Sequence, residues 1–298
     1  MATSEGECAT ARACEKMDNT PVVMSSWATT ANEEFGQNAP NTTKVFQIYL
    51  SKIPEVNFDI WNRVKKSGFS ALAMTTDTQL LGKRLNDTRT KFSLPYHLNM
   101  SNFAKYMEQG QQTAVKGGKE SGLAEFVKNS KDNEIDWSIV KYVKKHAQLP
   151  VYAKGVMCAE DARLALEAGI DGIYVSNHGA RQLDTTPATI EILKEVVEET
   201  KRYAAETGTE KVPVWFDGGI RHGSDILKAI ALGADLVWIG RPVLWALACE
   251  GQAGVENMIR ILNEELKEAM LQCGCYCYDD IKKNNIIYDE KELMFARL

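Results

Sequence analysis

Three segments of this chain repeat one unit: an amphipathic helix, a terminating glycine, two or three residues, then a short apolar run rich in β-branched residues. The glycines are Gly68, Gly169 and Gly233. The first unit runs from Phe58–Val64 into Ala71–Thr75, the second from Ala162–Leu166 into Gly172–Ser176, the third from Ile226–Ile230 into Leu236–Gly240. Glycine just past a helix supplies the left-handed cap that other residues adopt only with strain. A continuous apolar run of four or five residues suits a strand buried on both faces of a parallel sheet.

Further strand candidates begin at Val22, Val45, Val151 and Val214, most of them followed by a helical pattern. About seven strands therefore alternate with helices, a rhythm that fits an open doubly wound sheet or a closed barrel. The residues at the strand ends decide. Ser25 to Trp27, Gln47 to Tyr49, Thr75 to Asp77, Lys154, Ser176 to His178, Asp217 to Gly219 and Gly240 with Arg241 are all chemically capable. Convergence of polar groups from many strand ends is what the C-terminal face of a TIM barrel provides.

The chain opens on residues 5–14, which read as a helix with no strand before it, so the expected fold is an α/β TIM (β/α)8-type barrel lacking its first strand. One domain over residues 1–298 is expected, with 84–133 as an excursion over the active face that acts as a lid. No apolar run approaches a membrane span. A net charge of -5 with dispersed Lys and Arg gives no footprint for nucleic acid, which leaves a small molecule as the expected partner. Cys273, Cys275 and Cys277 have no second cluster to complete a tetrahedral set, so no metal is expected.

Asp217, Gly218, Gly219, Ile220 and Arg221, followed one unit later by Gly240 and Arg241, place free amides and cations on neighbouring loops, as a barrel phosphate site does. His178 and Arg181 share the next loop upstream. A histidine takes up a proton near neutral pH, and a guanidinium grips a carboxylate with two parallel hydrogen bonds. Asp77 at another strand end is placed to orient the imidazole. Lys154 ends an apolar strand and needs a partner there: imine chemistry, a salt bridge, or stabilisation of a negatively charged cofactor.

The run Ser176 to Gln182 resembles the active-site signature of the FMN-dependent 2-hydroxy-acid oxidases and dehydrogenases, on the glycolate oxidase branch. The resemblance extends from about Glu5 to the region of Cys273, through the strand ends named above. It implies FMN as cofactor, a TIM barrel, and oxidation of a short (S)-2-hydroxy acid to the 2-oxo acid with dioxygen reduced to hydrogen peroxide. It also implies that Ser25, Gln47, Thr75, Lys154 and Ser176 contact the flavin and ribityl chain, while residues 217–221, Gly240 and Arg241 hold the ribityl and phosphate groups. Tyr49, Arg84 and Arg181 would fix the substrate with Trp27 nearby, His178 would be the base, and Asp77 would support it.

Family members carry an additional helical segment, a first strand and a substrate-binding tyrosine that find no match here. The expected consequences are two unpaired sheet edges, an exposed core wedge, and the alternative of an inactive or weakly flavin-binding remnant. A dehydrogenase using another electron acceptor would share every site residue. Ala296, Arg297 and Leu298 resemble the tripeptide read by peroxisomal import receptors, with the cytoplasm as the alternative location. The family's habit implies a homotetramer.

Overall fold

The computed structural model describes residues 1–106, 132, 134–284, 286 and 287. Ala296, Arg297, Leu298 and most of the expected 84–133 excursion lie outside the described residues. Seven strands form one sheet: β1 (Val22–Ser25), β2 (Lys44–Ile48), β3 (Ala71–Thr75), β4 (Val151–Val156), β5 (Gly172–Val175), β6 (Val214–Asp217) and β7 (Leu236–Trp238). All neighbours are parallel and the spatial order is the sequence order. The helices are α1 (Gly6–Lys16), α2 (Asn32–Asn38), α3 (Pro54–Lys66), α4 (Leu85–Thr90), α5 (Ile139–Ala147), α6 (Ala159–Glu167), α7 (Thr189–Thr207), α8 (Gly223–Ala231), α9 (Arg241–Gln272) and α10 (Tyr278–Lys283). Non-helical angles at Glu250 and Gly251 bend α9.

The three repeated glycines behave as expected, with φ of +76° at Gly68, +87° at Gly169 and +107° at Gly233. The amide after each one reaches five residues back: Phe69 to the Val64 carbonyl, Ile170 to Ala165 and Ala234 to Ala229, at 3.3, 3.2 and 3.0 Å. These are Schellman closures, and each buries the residue following its glycine. Each helix is thereby turned back onto the sheet, where the next strand begins.

The sheet is curled. Val23 of β1, Val45 of β2, Ala71 and Ala73 of β3, Tyr152 of β4, Tyr174 of β5, Trp215 of β6, and Leu236 and Trp238 of β7 all join one cluster. Side chains from every strand can meet at one place only if the sheet wraps around them. Tyr152 and Trp215 stack with ring centroids 3.5 Å apart, and Trp238 meets Trp215 edge-on at 5.3 Å. The opposite face of the sheet packs on the helices through the largest core cluster. Among the described residues β1 and β7 do not pair, so two edges stand open as expected. The helical layer nonetheless closes. Arg12 and Lys16 of α1 reach Gln252 and Glu256 of α9 at 2.8 and 2.6 Å. Val45, Ala71, Ala73, Tyr174, Trp215 and Trp238 of the cluster stay buried, while Val23, Tyr152 and Leu236 are only half-buried.

The end of the sheet remote from the polar strand ends is tied by two equivalent aspartates. Asp171 accepts from the Val151 amide and from Lys144, at 2.8 and 2.7 Å. Asp235 accepts from the Val214 amide and Lys211 at 2.8 Å each, and from Lys282 at 2.6 Å. Burial opposes ionisation of Asp235, but the two lysines and the amide outweigh it and hold the carboxyl below its ordinary value of 3.8. A carboxyl whose folded value is depressed stabilises the fold above its unfolded value and loses that contribution as pH falls through the folded one. Asp235→Ala is therefore expected to cost about 1–3 kcal/mol in urea unfolding at pH 7, and the difference from wild type should shrink at pH 3.

Candidate active site

The polar groups sit where the pleat places them. Ser25, Gln47, Thr75, Lys154, Ser176 and Asp217 each lie two residues beyond a member of the aromatic cluster, so they share its face of the sheet at the carboxyl ends of the strands. They form two chains of contacts. Ser25 donates to Gln47 Oε1 at 2.9 Å, and Gln47 Nε2 donates to Thr75 Oγ1 at 2.8 Å. Lys154 Nζ donates to Ser176 Oγ at 3.1 Å, lies 3.9 Å from Asp217 Oδ2, and stands 5.2 Å over the Tyr174 ring. Of the three roles open to Lys154 from sequence, its surroundings match a paired cation facing the polar end of the barrel.

His178 lies at the centre of a second constellation. Its Nδ1 is 3.0 and 3.2 Å from the two carboxylate oxygens of Asp77, and its Nε2 is 3.3 Å from the Tyr49 hydroxyl. The ring is carried on a left-handed run, with φ of +59° at His178, +65° at Gly179 and +59° at Ala180. Two of these three residues bear a side chain, a strain of about 1–2 kcal/mol each. The Ser176 hydroxyl holds the His178 amide at 3.2 Å and Arg241 donates to the Gly179 carbonyl at 2.7 Å, which fixes the loop from both sides.

Asp77 is buried, which by itself disfavours its charge. The hydrogen bond from His178, the charges of His178 and Lys154, and Thr78 outweigh burial and lower its pKa. The Thr78 hydroxyl donates to Asp77 Oδ1 at 2.8 Å. Tyr49 moves the other way: burial, then the charge of Asp77, raise its pKa, while Arg181 and Arg84 only partly counter this. The phenol therefore stays protonated. Trp27 stacks on Tyr49 with centroids 3.9 Å apart. Arg84 donates to the Arg181 carbonyl, and the charges of both arginines act on the Tyr49 phenol.

Three contributors escaped the sequence reading. Thr78 steadies Asp77. Tyr174 lies under Lys154, its phenol raised well above the ordinary value by burial and by Asp217. Gly155 has φ +114°, and a Cβ there would stand 2.6 Å from the Cβ of Asp77. Thr78 and Gly155 are direct neighbours of residues singled out in sequence, and that adjacency was the available signal.

The remaining strand ends offer a cradle. Asp217 Oδ1 is buried without a hydrogen-bond partner among the described residues, an acceptor that a ligand hydroxyl would satisfy. A Cβ added at Gly219 or Gly240 meets nothing within 4 Å, and Arg221 and Arg241 follow these glycines within two residues. Arg221 donates to the Ile220 carbonyl at 2.7 Å. Gly240 precedes the first turn of α9, where Pro242 has no amide and the Val243 amide bonds the Gly240 carbonyl at 3.1 Å, so an anion there would rest mainly on the Arg241 cation. Hydroxyl acceptors leading to an anion site at a helix start, next to a cation-bearing polar floor, fit the ribityl, phosphate and ring of a flavin mononucleotide.

Residues 1–288 match the family model described as FMN-dependent dehydrogenase, and the chain belongs to that family of FMN oxidoreductases. It is similar to Glycolate oxidase 3 of Oryza sativa subsp. japonica, at 43% identity over 298 residues, which is 100% of this chain and 77% of that protein. It is similar also to 2-Hydroxyacid oxidase 1 of Homo sapiens, at 42% identity over 275 residues, covering 92% of this chain and 72% of the other. Among solved structures it resembles a mandelate oxidase crystallised with (S)-4-hydroxymandelic acid, with TM-score 0.83 and 35% identity over 93% of this chain and 74% of that one.

The cradle yields a direct test. An added methyl at Gly240 touches no protein atom, but ψ of -89° lies outside the ordinary α region, so Gly240→Ala should cost about 1–2 kcal/mol in unfolding. Quenching of FMN fluorescence on binding should report an affinity at least about tenfold weaker, since the methyl would occupy the phosphate's space.

Proposed function

We propose that this chain oxidises a short (S)-2-hydroxy acid such as glycolate to the 2-oxo acid and reduces dioxygen to hydrogen peroxide. The observation that carries the proposal is the chain Asp77–His178–Tyr49, with the cations of Arg84 and Arg181 near enough to act on the Tyr49 phenol. An acid–base group next to two cations suits a substrate with a hydroxyl adjoining a carboxylate. The relatives named glycolate oxidase and 2-hydroxyacid oxidase support the same substrate class.

In this reading Arg84 and Arg181 bind the carboxylate. Asp77, held ionised, accepts the Nδ1 hydrogen of His178 and leaves Nε2 to take the substrate's hydroxyl proton. Tyr49, held protonated, donates to the substrate oxygen and orients it. Trp27 stacked on Tyr49 narrows the space for a substituent at C2 and favours short acids. Bound FMN supplies the acceptor for the two electrons leaving C2. Ser25, Gln47, Thr75, Lys154 and Ser176 would meet its ring and ribityl chain, and Asp217 to Arg221, Gly240 and Arg241 its ribityl and phosphate groups.

Over one turnover the substrate's C–H and O–H bonds break and a C=O bond forms; dioxygen takes up the two electrons and two protons. Residues 84–133 serve in this reading as the cover of the site within a single domain. Assembly as a homotetramer and import into peroxisomes through Ala296, Arg297 and Leu298 belong to the same proposal. The test is stopped-flow reduction without oxygen: His178→Gln should keep bound FMN but slow its reduction by glycolate about 10²- to 10⁴-fold. Near-normal reduction in that variant would rule out His178 as the base.

A further inference from the structure

Gln182 stands four residues after His178 and does not point at the reacting groups. Its amide faces the segment that follows β3. Nε2 donates to the carbonyls of Asp77 and Leu80 at 3.0 and 2.9 Å, and Oε1 accepts from the Gly82 amide at 3.1 Å and from Arg84 Nη2 at 3.3 Å. A primary amide has two donor hydrogens and two acceptor lone pairs, and all four are used. Arg84 completes the joint by donating from its other terminal nitrogen to the Arg181 carbonyl.

The fit between the two segments is close. A Cβ at Gly82 would collide with the Arg181 carbonyl oxygen and stand 3.0 Å from both Arg84 Nη1 and the Gln182 Cα. The joint also holds like charges together. Burial and then the charge of Arg181 lower the proton affinity of Arg84, so the two guanidiniums resist this arrangement while no anion lies between them. A neutral amide can restrain Arg84 without cancelling its charge, as a carboxylate at the same place would.

We propose that Gln182 is a positioning residue, a clasp that joins the 77–84 segment to the 178–182 loop so that Arg84 and Arg181 meet one substrate carboxylate together. This rests on the hydroxy-acid reading above and deepens it. One side chain thereby links the main chain of Asp77, which orients the base, to a cation that grips the substrate. Loss of the clasp acts on carboxylate binding through Arg84 more than on the base, since the Asp77 side chain keeps its own bonds to His178 and Thr78.

The probe is oxalate, a small dicarboxylate with no α C–H bond to oxidise, titrated by calorimetry into the FMN-loaded chain. Gln182→Met and Arg84→Met should each raise the oxalate Kd about tenfold, as for loss of a charge-assisted hydrogen bond. Because one acts through the other, the double variant should bind no more weakly than the weaker single. In turnover, KM for glycolate should rise more than kcat falls. Gly82→Ala, which leaves Gln182 intact and displaces the facing segment, should weaken oxalate similarly and keeps the test open should Gln182→Met not fold.

A Gln182→Met protein that melts like wild type and binds oxalate like wild type overturns the clasp. So do single effects that multiply in the double variant, or a Gly82→Ala protein with unchanged Kd. Failure of the wild-type chain itself to bind oxalate or oxidise glycolate would count against the hydroxy-acid reading instead.

Discussion

The period-two pleat of a curled parallel sheet is the constraint on which the rest depends. Val23, Val45, Ala73, Tyr152, Tyr174 and Trp215 point into the lumen. Two residues further along the same strands come Ser25, Gln47, Thr75, Lys154, Ser176 and Asp217. The apolar layer closes the barrel floor and the polar layer forms the site, and neither can shift without the other. A one-residue slip in any strand would send its site residue to the helix side of the sheet. The aspartates at the other end, Asp171 and Asp235, tie strand starts in neighbouring units and oppose such a slip.

The loop of residues 176–182 is held by groups that also meet other parts of the site. Arg241, whose place beside Gly240 belongs to the anion cradle, also fixes the Gly179 carbonyl in the strained left-handed run. Ser176, in contact with Lys154, holds the His178 amide. Gln182 joins the same loop to the segment that carries Asp77 and Arg84. Lys154 with Ser176, Arg241 beside Gly240, and the Asp77–His178 pair are thus mechanically one unit. Gly155 belongs to it through the absence of a side chain, since only a glycine at φ +114° lets β4 pass so close to Asp77.

Much of this was legible in the sequence, for definable reasons. Gly68, Gly169 and Gly233 announced the helix ends because only glycine enters the left-handed cap at little cost. The strands announced themselves as apolar runs, and their polar termini pointed to a single face. The resemblance in residues 176–182 then gave those residues roles. Other features take their part only from tertiary approach. Thr78, Gly155 and Gln182 are ordinary residues until the loops meet, and the pairing of α1 with α9, which closes the helical layer where the sheet stays open, joins residues some 240 positions apart. Asp171 and Asp235 could have been found, because both follow a capping glycine by two residues.

The central claim is that these strand ends together make a working hydroxy-acid oxidase site. It is tested most directly by the absorbance of the purified, FMN-loaded chain titrated with glycolate without oxygen and then opened to air. A working site gives stoichiometric bleaching of the oxidised-flavin bands, followed in air by their return with an equal amount of hydrogen peroxide. Bands that stay unchanged in excess glycolate, or reduced flavin that persists in air, would contradict it.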